Sequence, residues 1–256
     1  MHKQMFKGKV IMVVGGGSGV GRAVAEEIHK RGGHVVIADR EVQVVNDLLS
    51  QHDEKMPQRL HVELDLLNIA QCEKAFDLVA SKFGRLDGLF CYAGVTAPSE
   101  LLECNEAHFD EIMGINFKGV LFCCKYGVKL MKENGGGAIV LTGSPHSEGG
   151  DKDRLVYACS KGAQFPLMKH LAQHYAKCGI RANMLTLGWT PTEGEIALRE
   201  TQGMSEDELR EWASSIIPAN RMTEVDDVVE GVVYLLSSNA LMVSGSELRV
   251  TGGWYL

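Results

Sequence analysis

Short, uniformly apolar runs alternate with longer helix-prone stretches along the whole 256-residue chain. Runs such as 9–14 and 34–38 are rich in Val and Ile and lack the polar alternation of a half-exposed strand, so they predict strands that are buried on both faces. Strands that alternate with helices form parallel sheets through right-handed crossovers. The pattern therefore predicts a doubly wound, three-layer α/β/α fold around a seven-stranded, mostly parallel sheet.

One stretch departs from this alternation. Residues 189–218 insert polar, helix-prone sequence where a short loop would suffice, and such long excursions are often lids over a binding site. Because the chain shows no internal repeat and no linker, we predict that residues 1–256 form one domain with 189–218 as its lid. The predicted strands are 9–14, 34–38, 59–64, 86–91, 137–142, 181–187 and 247–250, and the predicted helices are 20–30, 41–51, 68–83, 105–132, 155–177 and 224–237.

Charge and hydropathy exclude two classes of partner. The net charge of −7 gives no electrostatic footprint for nucleic acid. Residues 231–246 form the longest uncharged stretch, which is too short to span a bilayer. Residues 1–9 hold no apolar core of signal-peptide length. These features predict a cytoplasmic protein that binds neither nucleic acid nor membrane.

Cysteine and histidine patterns do not indicate a metal site. The seven cysteines are odd in number and include no Cys-x-x-Cys pair, so we expect buried, reduced thiols. His170 and His174 have the i, i+4 spacing that can bind a metal, but no third ligand is evident in the sequence. We therefore predict no metal centre.

A glycine-rich loop follows the first predicted strand, in the segment Val14-Gly-Gly-Gly-Ser-Gly-Val-Gly-Arg22. Glycines allow the backbone to turn sharply and to approach a pyrophosphate, whose charge then lies at the N-terminus of the following helix. Such a loop alone could be a flexible turn, but its place between a first strand and a first helix favours a dinucleotide site.

Two acidic residues follow the next strands. Asp39 ends the second predicted strand, where a carboxylate accepts hydrogen bonds from adenosine ribose hydroxyls and repels a 2′-phosphate. This position favours NAD over NADP, although the adjacent Arg40 could pair with that phosphate. Asp65 ends the third strand, and two roles fit it: a neighbour of the adenine, or a cap of the following helix.

A tyrosine and a lysine lie at i and i+4 in Tyr157-Ala-Cys-Ser-Lys161, on one face of a predicted helix. A phenol with a pKa of about 10 is a poor base at neutral pH, and a neighbouring cation would lower that pKa. Ser144 lies just past the fifth strand, where strand ends line a crevice. Together these residues predict an acid/base site beside the dinucleotide.

In these motifs the whole chain resembles the short-chain dehydrogenase/reductase family, in its single-domain branch with a Rossmann fold. Gly15, Gly19 and Gly21 match the family's glycine motif, although Cys91-Tyr92 replace its Asn-Asn before Ala93-Gly94. The resemblance also covers Asn116, Ser144, Tyr157, Lys161, Gly188, Thr192 and Gly252-Gly253.

The resemblance implies the role of each residue. Tyr157 would be the general acid/base, Ser144 would hydrogen-bond the substrate oxygen, Lys161 would lower the tyrosine pKa and hold the nicotinamide ribose, and Asn116 would hold a helix distortion and a relay water. His146 is a candidate substrate contact, alongside Ser144 and Tyr157. The predicted cofactor-binding residues are Gly15, Ser18, Gly19, Val20, Gly21, Asp39, Arg40, Asp65, Leu66, Ala93, Gly94, Tyr157, Lys161, Gly188, Thr190 and Thr192.

The motifs are compatible with more than one function. The resemblance implies hydride transfer between NAD(H) and a secondary alcohol or ketone, and sugars, polyols, hydroxy acids and 3-oxoacyl compounds all fit. The alternatives are a non-catalytic NAD(P)-binding sensor or scaffold, and an enzyme of net isomerisation or dehydration. Trp212 is expected to be a packing anchor, and the apolar end 254–256 suggests burial against another subunit. The resemblance points to a homotetramer.

Overall fold

Seven parallel strands form one sheet in this computed structural model, which describes residues 4–41, 57–149 and 151–254. Their order across the sheet is 3-2-1-4-5-6-7, which confirms the predicted doubly wound topology and makes every described pairing parallel. The order reverses between the first and fourth strands, where a crevice opens at the carboxyl ends. The strands are β1 (Val10–Val14), β2 (His34–Asp39), β3 (Arg59–Glu63), β4 (Gly88–Cys91), β5 (Gly137–Gly143), β6 (Ile180–Leu187) and β7 (Glu247–Val250).

Helices cover both faces of this sheet. The helix predicted over 41–51 falls outside the described residues, apart from Glu41. None of the helices in the described part of the chain has the length and apolar content needed to cross a membrane. The described α-helices are α1 (Gly19–Lys30), α2 (Ile69–Phe83), α3 (Glu106–Met113), α4 (Val120–Glu133), α5 (Leu155–His174), α6 (Glu193–Thr201), α7 (Glu206–Ile216) and α8 (Val225–Leu236).

The central strand β1 shows why the apolar runs have no polar alternation. Successive side chains of a strand point to opposite faces, so Val10, Met12 and Val14 pack into the core under α2, α4 and α5. Ile11 and Val13 pack into the other core, under α1 and α8. Both sets are at most 2% exposed. A single polar residue at any of these positions would lie in one of the two cores.

The helix predicted over 105–132 is not continuous. A π-helical turn, Gly114–Gly119, separates α3 from α4. Gly114 and Gly119 allow this turn to approach the loop after β3, since a Cβ at either position would lie 2.6 Å from Leu67 Cδ2 or Leu66 Cβ. The buried side chain of Asn116 is fixed within the turn by Val95, as described below. Periodicity alone cannot show such a break, because the apolar pattern continues through it.

The helix predicted over 155–177 ends three residues early, at His174. A short 3₁₀ turn, Ala176–Cys178, follows and is closed by Gly179 at a φ of 74°. Glycine adopts this left-handed conformation without a steric penalty, so it ends the helical segment.

The 189–218 segment contains α6 and α7 between β6 and α8. Each helix begins with a side-chain cap, because Thr192 accepts a hydrogen bond from the Glu195 backbone and Ser205 accepts one from Glu208. Leu209 and Ala213 form the fully buried face of α7. The segment is therefore an ordered part of the structure with its own small core.

Candidate active site

A cavity of about 820 Å³ lies along the carboxyl ends of the strands. Its volume is in the range of small-molecule sites, which measure about 300–1,000 Å³. The loops after β1 to β6 all contribute to its lining, and α7 and Trp254 close one end. The cavity therefore occupies the crevice that the strand order creates.

Most of the predicted site residues lie on this cavity. Ser144, His146, Tyr157 and Lys161 line it. Gly19, Val20, Gly21 and Asn116 are not among the residues that line it. The other predicted cofactor residues on the cavity are Gly15, Ser18, Asp39, Arg40, Asp65, Leu66, Ala93, Gly94, Gly188, Thr190 and Thr192.

The loop between β1 and α1 has the geometry that a pyrophosphate requires. Gly15 adopts a φ of 81°, and a Cβ there would lie 2.6 Å from the Ala93 nitrogen. A Cβ at Gly21 would overlap the Gly15 carbonyl oxygen. Ser18 is the N-cap of α1, but its side chain makes no capping hydrogen bond and the first turn holds no acidic residue. The N-terminus of α1 thus faces the cavity region without a side-chain anion of its own, which fits a bound phosphate.

The substitution Gly21→Ala is expected to abolish measurable cofactor binding and to lower the free energy of unfolding by about 1–3 kcal/mol. The new methyl group would displace the Gly15 carbonyl and open the loop. Gly194→Ala is the matched control, because the space around a Cβ at Gly194 is empty. Calorimetric titration with NADH and urea denaturation measure both effects. Normal NADH affinity in Gly21→Ala would contradict the assigned loop.

The carboxylate of Asp39 lines the cavity beside the glycine loop. Its Oδ2 accepts a hydrogen bond from the Gly17 backbone at 2.9 Å, and its Oδ1 accepts one from the Glu41 backbone at 3.2 Å. Arg40 is 66% exposed at its side chain, and its Nε lies 4.0 Å from a Glu41 carboxylate oxygen. These contacts fix the acid toward the glycine loop, whereas the arginine lies mostly in solvent.

Asp65 is not the cap of α2. Asn68 occupies the N-cap position, and its side chain accepts a hydrogen bond from the Gln71 backbone. Asp65 instead lines the cavity, and its Oδ1 accepts a hydrogen bond from the Leu67 backbone at 2.9 Å. The interpretation of Asp65 as the helix cap is therefore wrong, and its place beside the adenine stays a prediction.

Tyr157 and Ser144 meet at the other end of the cavity. Tyr157 lies in the first turn of α5, and Ser144 directly follows β5. Burial raises the pKa of Tyr157, a hydrogen bond with Ser144 and the charge of Arg154 lower it, and Glu195 raises it again. The sequence predicts that Lys161 lowers this pKa, but in the structure Lys161 has no such effect. The phenol is therefore held in its protonated form, next to a hydroxyl group.

Lys161 lies one helical turn beyond Tyr157 and is 3% exposed. Its Nζ donates a hydrogen bond to the Thr142 carbonyl at 3.1 Å and lies 6.0 Å from the centre of the Tyr157 ring. Burial lowers the pKa of Lys161 to about 8, and Cys91 opposes this only in part. The lysine is thus a desolvated amine behind the tyrosine rather than in contact with its hydroxyl.

Asn116 is fully buried in the π-helical turn. Its Oδ1 accepts a hydrogen bond from the Val95 backbone at 2.8 Å, and its Nδ2 donates to the Val95 carbonyl at 2.9 Å and to Ser160 Oγ at 3.0 Å. Its own carbonyl accepts a hydrogen bond from Gln164 Nε2 at 2.6 Å. Asn116 therefore links the loop after β4 to the helix that carries Tyr157 and Lys161.

Sequence reasoning missed Gln164 and two aromatic residues of the cavity. The only sequence signal for Gln164 is its position about one helical turn after Lys161. Trp189 and Trp254 line the cavity together with Trp212, which was expected to be only a packing anchor. Residues 255–256 lie outside the described part, so the expected burial of the chain end applies here to Trp254 alone, which contacts Trp189.

The sequence also leads to expectations for the thiols and for the pair His170 and His174. Cys159 is exposed, so the expectation of burial is wrong for this thiol, and Cys104 and Cys178 are half-buried. His170 and His174 are both exposed, with ring centres 4.4 Å apart. Among the described residues, no group of three potential ligands is arranged to hold a metal ion. The buried thiols, as predicted, are those of Cys72, Cys91, Cys123 and Cys124.

Comparison with known proteins finds similarity along the whole chain. A family model described as enoyl-(acyl carrier protein) reductase matches residues 14–255. An uncharacterized oxidoreductase of Thermotoga maritima is 31% identical over 248 residues, which cover 97% of this chain and 98% of that protein.

Two solved structures share the fold over the same length. A gluconate 5-dehydrogenase from Burkholderia cenocepacia, in complex with NADP and tartrate, superimposes with a TM-score of 0.88 and 27% identity, over 98% of this chain and 97% of that chain. A short-chain type dehydrogenase/reductase from Mycobacterium ulcerans superimposes with a TM-score of 0.87 and 25% identity, over 97% of this chain and 90% of that chain.

Proposed function

The chain belongs to the short-chain dehydrogenase/reductase family, and on this premise we propose that it interconverts a secondary alcohol and its ketone, with Tyr157 as general acid/base and NAD as preferred cofactor. Enzymes of this family act on CH–OH groups. The observation that carries the proposal is the meeting of Tyr157 with Ser144 on one cavity, with the buried Lys161 behind them. A binding protein without turnover has no need of this arrangement.

The residues of this chain would transfer one proton to or from the substrate oxygen. The bound nicotinamide cofactor would supply or accept the hydride. Tyr157 Oη and Ser144 Oγ would both hydrogen-bond the substrate oxygen, and the raised pKa keeps the Tyr157 proton in place for donation to a ketone oxygen. In the direction of alcohol oxidation, Tyr157 would accept that proton. A protonated Lys161 would then stabilise the phenolate, since its amine is desolvated nearby.

The 189–218 segment is proposed as the lid over the substrate end. Glu195, Arg199 and Trp212 of this segment line the cavity. Glu193 forms an ion pair with Arg22 of α1, next to the glycine loop. A segment in this position would exclude water from the reacting atoms. The homotetramer and the cytoplasmic location stay predictions.

Asp39→Ala is expected to narrow the preference for NADH over NADPH by about tenfold, mainly by improving NADPH affinity. The substitution removes a carboxylate that would repel the 2′-phosphate, and it leaves Arg40 in place as a phosphate partner. The ratio of the two dissociation constants, measured for wild type and variant, gives the result. An unchanged ratio would show that Asp39 does not interact with the ribose.

The proposal itself is tested by following nicotinamide absorbance with NAD and NADP separately. The panel contains sugars, polyols, hydroxy acids and the corresponding ketones. We expect turnover on one of these groups and accumulation of free reduced cofactor in the oxidative direction. Cofactor binding with no turnover on any substrate would favour a sensor or scaffold, and substrate conversion without a net change in cofactor would favour isomerisation or dehydration.

A further inference from the structure

All three tryptophans of the chain lie together at the substrate end of the cavity. Trp189 is the second residue after β6, Trp212 lies on α7, and Trp254 follows β7. The ring centres of Trp189 and Trp212 are 4.7 Å apart and those of Trp189 and Trp254 are 6.1 Å apart. These three side chains are called the aromatic wall.

The aromatic wall is held in place before any ligand binds. Trp189 is stacked on Trp254 at an interplanar angle of 17° and meets Trp212 at 89°. Its Nε1 donates a hydrogen bond to Glu195 at 2.8 Å, and the Arg199 guanidinium lies 5.0 Å from its ring centre. A ring that these contacts fix loses little entropy when a ligand covers it.

Part of this apolar surface is open. Trp212 is 47% exposed and Ile216, one turn further along α7, is 41% exposed, and both line the cavity. Leu209 and Ala213 on the same helix are fully buried, so α7 has a second apolar face directed at the cavity. Large apolar side chains that stay exposed in a pocket are typical of a surface that a ligand covers.

His146 connects the aromatic wall to the reacting atoms. Its ring centre lies 6.1 Å from that of Trp254 and 6.0 Å from that of Tyr157, and it is edge-on to both. A substrate whose oxygen meets Tyr157 therefore has its substituents within reach of the aromatic wall. The aromatic wall therefore lies in the same site as Tyr157.

The charges at this end of the cavity disfavour an anionic substrate. Arg199 donates to Glu195 and Gln202, and Arg154 donates to the Thr96 carbonyl. Arg154 Nε also lies 3.7 Å from an Asp153 carboxylate oxygen. In the described lining around the aromatic wall, these two arginines are therefore engaged already, while Asp151, Asp153 and Glu195 all contribute negative charge.

From these observations we infer that the substrate is an uncharged secondary alcohol or ketone whose reacting carbon carries a planar or ring-sized apolar group, and that this group packs on the aromatic wall. The inference rests on the proposed function and adds its substrate class. A phenyl ring in place of a methyl group beside the carbonyl is expected to raise kcat/KM by about 10- to 100-fold, because the ring is removed from water.

The test compares 1-phenylpropane-1,2-dione with butane-2,3-dione, two diketones that differ by phenyl against methyl. Trp212→Ala should lower the phenyl preference at least about tenfold, Trp212→Phe should restore most of it, and Leu198→Ala should leave it unchanged. Leu198 is the matched control, since it is also exposed on the same segment but does not line the cavity. A para-carboxylate on the phenyl ring should lower kcat/KM.

Three results would overturn the inference while the proposed function stands. They are equal turnover of the two diketones, a phenyl preference that survives in Trp212→Ala, and a preference for the carboxylate. If no substrate is turned over, the proposed function is contradicted. A binding measurement then tests separately whether the aromatic wall binds a ring.

That measurement uses intrinsic fluorescence, because every tryptophan of the chain belongs to the aromatic wall. Saturable quenching by the phenyl diketone in wild type and Tyr157→Phe, lost or weakened about tenfold in Trp212→Ala, supports the wall as a ring site. N-acetyltryptophanamide serves as the control for collisional quenching. Quenching that is no stronger in the protein than in this control overturns the inference.

Discussion

Tyr157→Phe is expected to lower kcat/KM by about 100- to 10,000-fold, the usual contribution of general acid/base catalysis. The substitution removes the phenolic hydroxyl group, which hydrogen-bonds the Ser144 side chain on the cavity, and leaves the ring in place. Cofactor affinity should change less than about twofold, since the glycine loop and Asp39 are untouched.

Steady-state kinetics and calorimetric titration with NADH measure these two quantities. Tyr126→Phe is the matched control, because Tyr126 is a largely buried tyrosine of α4 and does not line the cavity. It should retain wild-type kinetics. Activity of Tyr157→Phe at the level of Tyr126→Phe would remove Tyr157 from the acid/base role.

Lys161→Met is expected to have two effects of opposite sign. It should lower kcat by about 100-fold or more, because no buried cation would then stabilise the phenolate. It should also raise the free energy of unfolding of the cofactor-free protein by about 1–3 kcal/mol at pH 7. Burial lowers the pKa of Lys161 from 10.5 to about 8, and each pKa unit corresponds to about 1.4 kcal/mol. Loss of the hydrogen bond to Thr142 offsets part of the gain.

The stability gain should depend on pH in a defined window. Below pH 8, Lys161 is protonated in both folded and unfolded states, so wild type bears the full cost of burying the charge. Between about pH 8 and 10.5 the unfolded state binds more protons than the folded state, so wild-type stability rises with pH relative to the variant. Above that range the amine is neutral in both states and the cost is gone.

Urea denaturation at pH 7 and pH 9.5 tests the direction of this pH dependence. The advantage of Lys161→Met should shrink between the two values, while Lys129→Met, an exposed lysine of α4, should show no such change. An advantage that grows with pH, or a variant that is less stable than wild type at pH 7, would show that the buried amine is not a cost to the fold.

The fold could be predicted because its determinants are local in sequence. The Val- and Ile-rich run of β1 fills two cores at once, and such runs have few structural solutions other than a parallel sheet. The dinucleotide loop and the Tyr157–Lys161 spacing are also local. Their contact with one cavity follows from the topology, because all strands of a parallel sheet end at the same edge.

Other features depend on contacts that no local pattern contains. The π-helical turn depends on the close approach of Gly114 and Gly119 to the loop after β3, and its apolar periodicity is that of an ordinary helix. The aromatic wall joins residues 189, 212 and 254, so each tryptophan looks like an isolated packing residue in the sequence. The pKa of Tyr157 is raised mainly by burial and is not lowered by Lys161, and the i, i+4 spacing of the two residues contains neither fact.

The π-helical turn also limits how this chain can change in evolution. Such a turn corresponds to one residue more than the regular helix would need, and the regular helix advances about 100° per residue. Deleting that residue would restore an unbroken helix, but it would rotate all of α4 by that angle. Cys123, Cys124 and Met131 would all leave their present places in the core. Loss of the turn therefore requires simultaneous changes along the whole of α4, so a single deletion cannot reverse it.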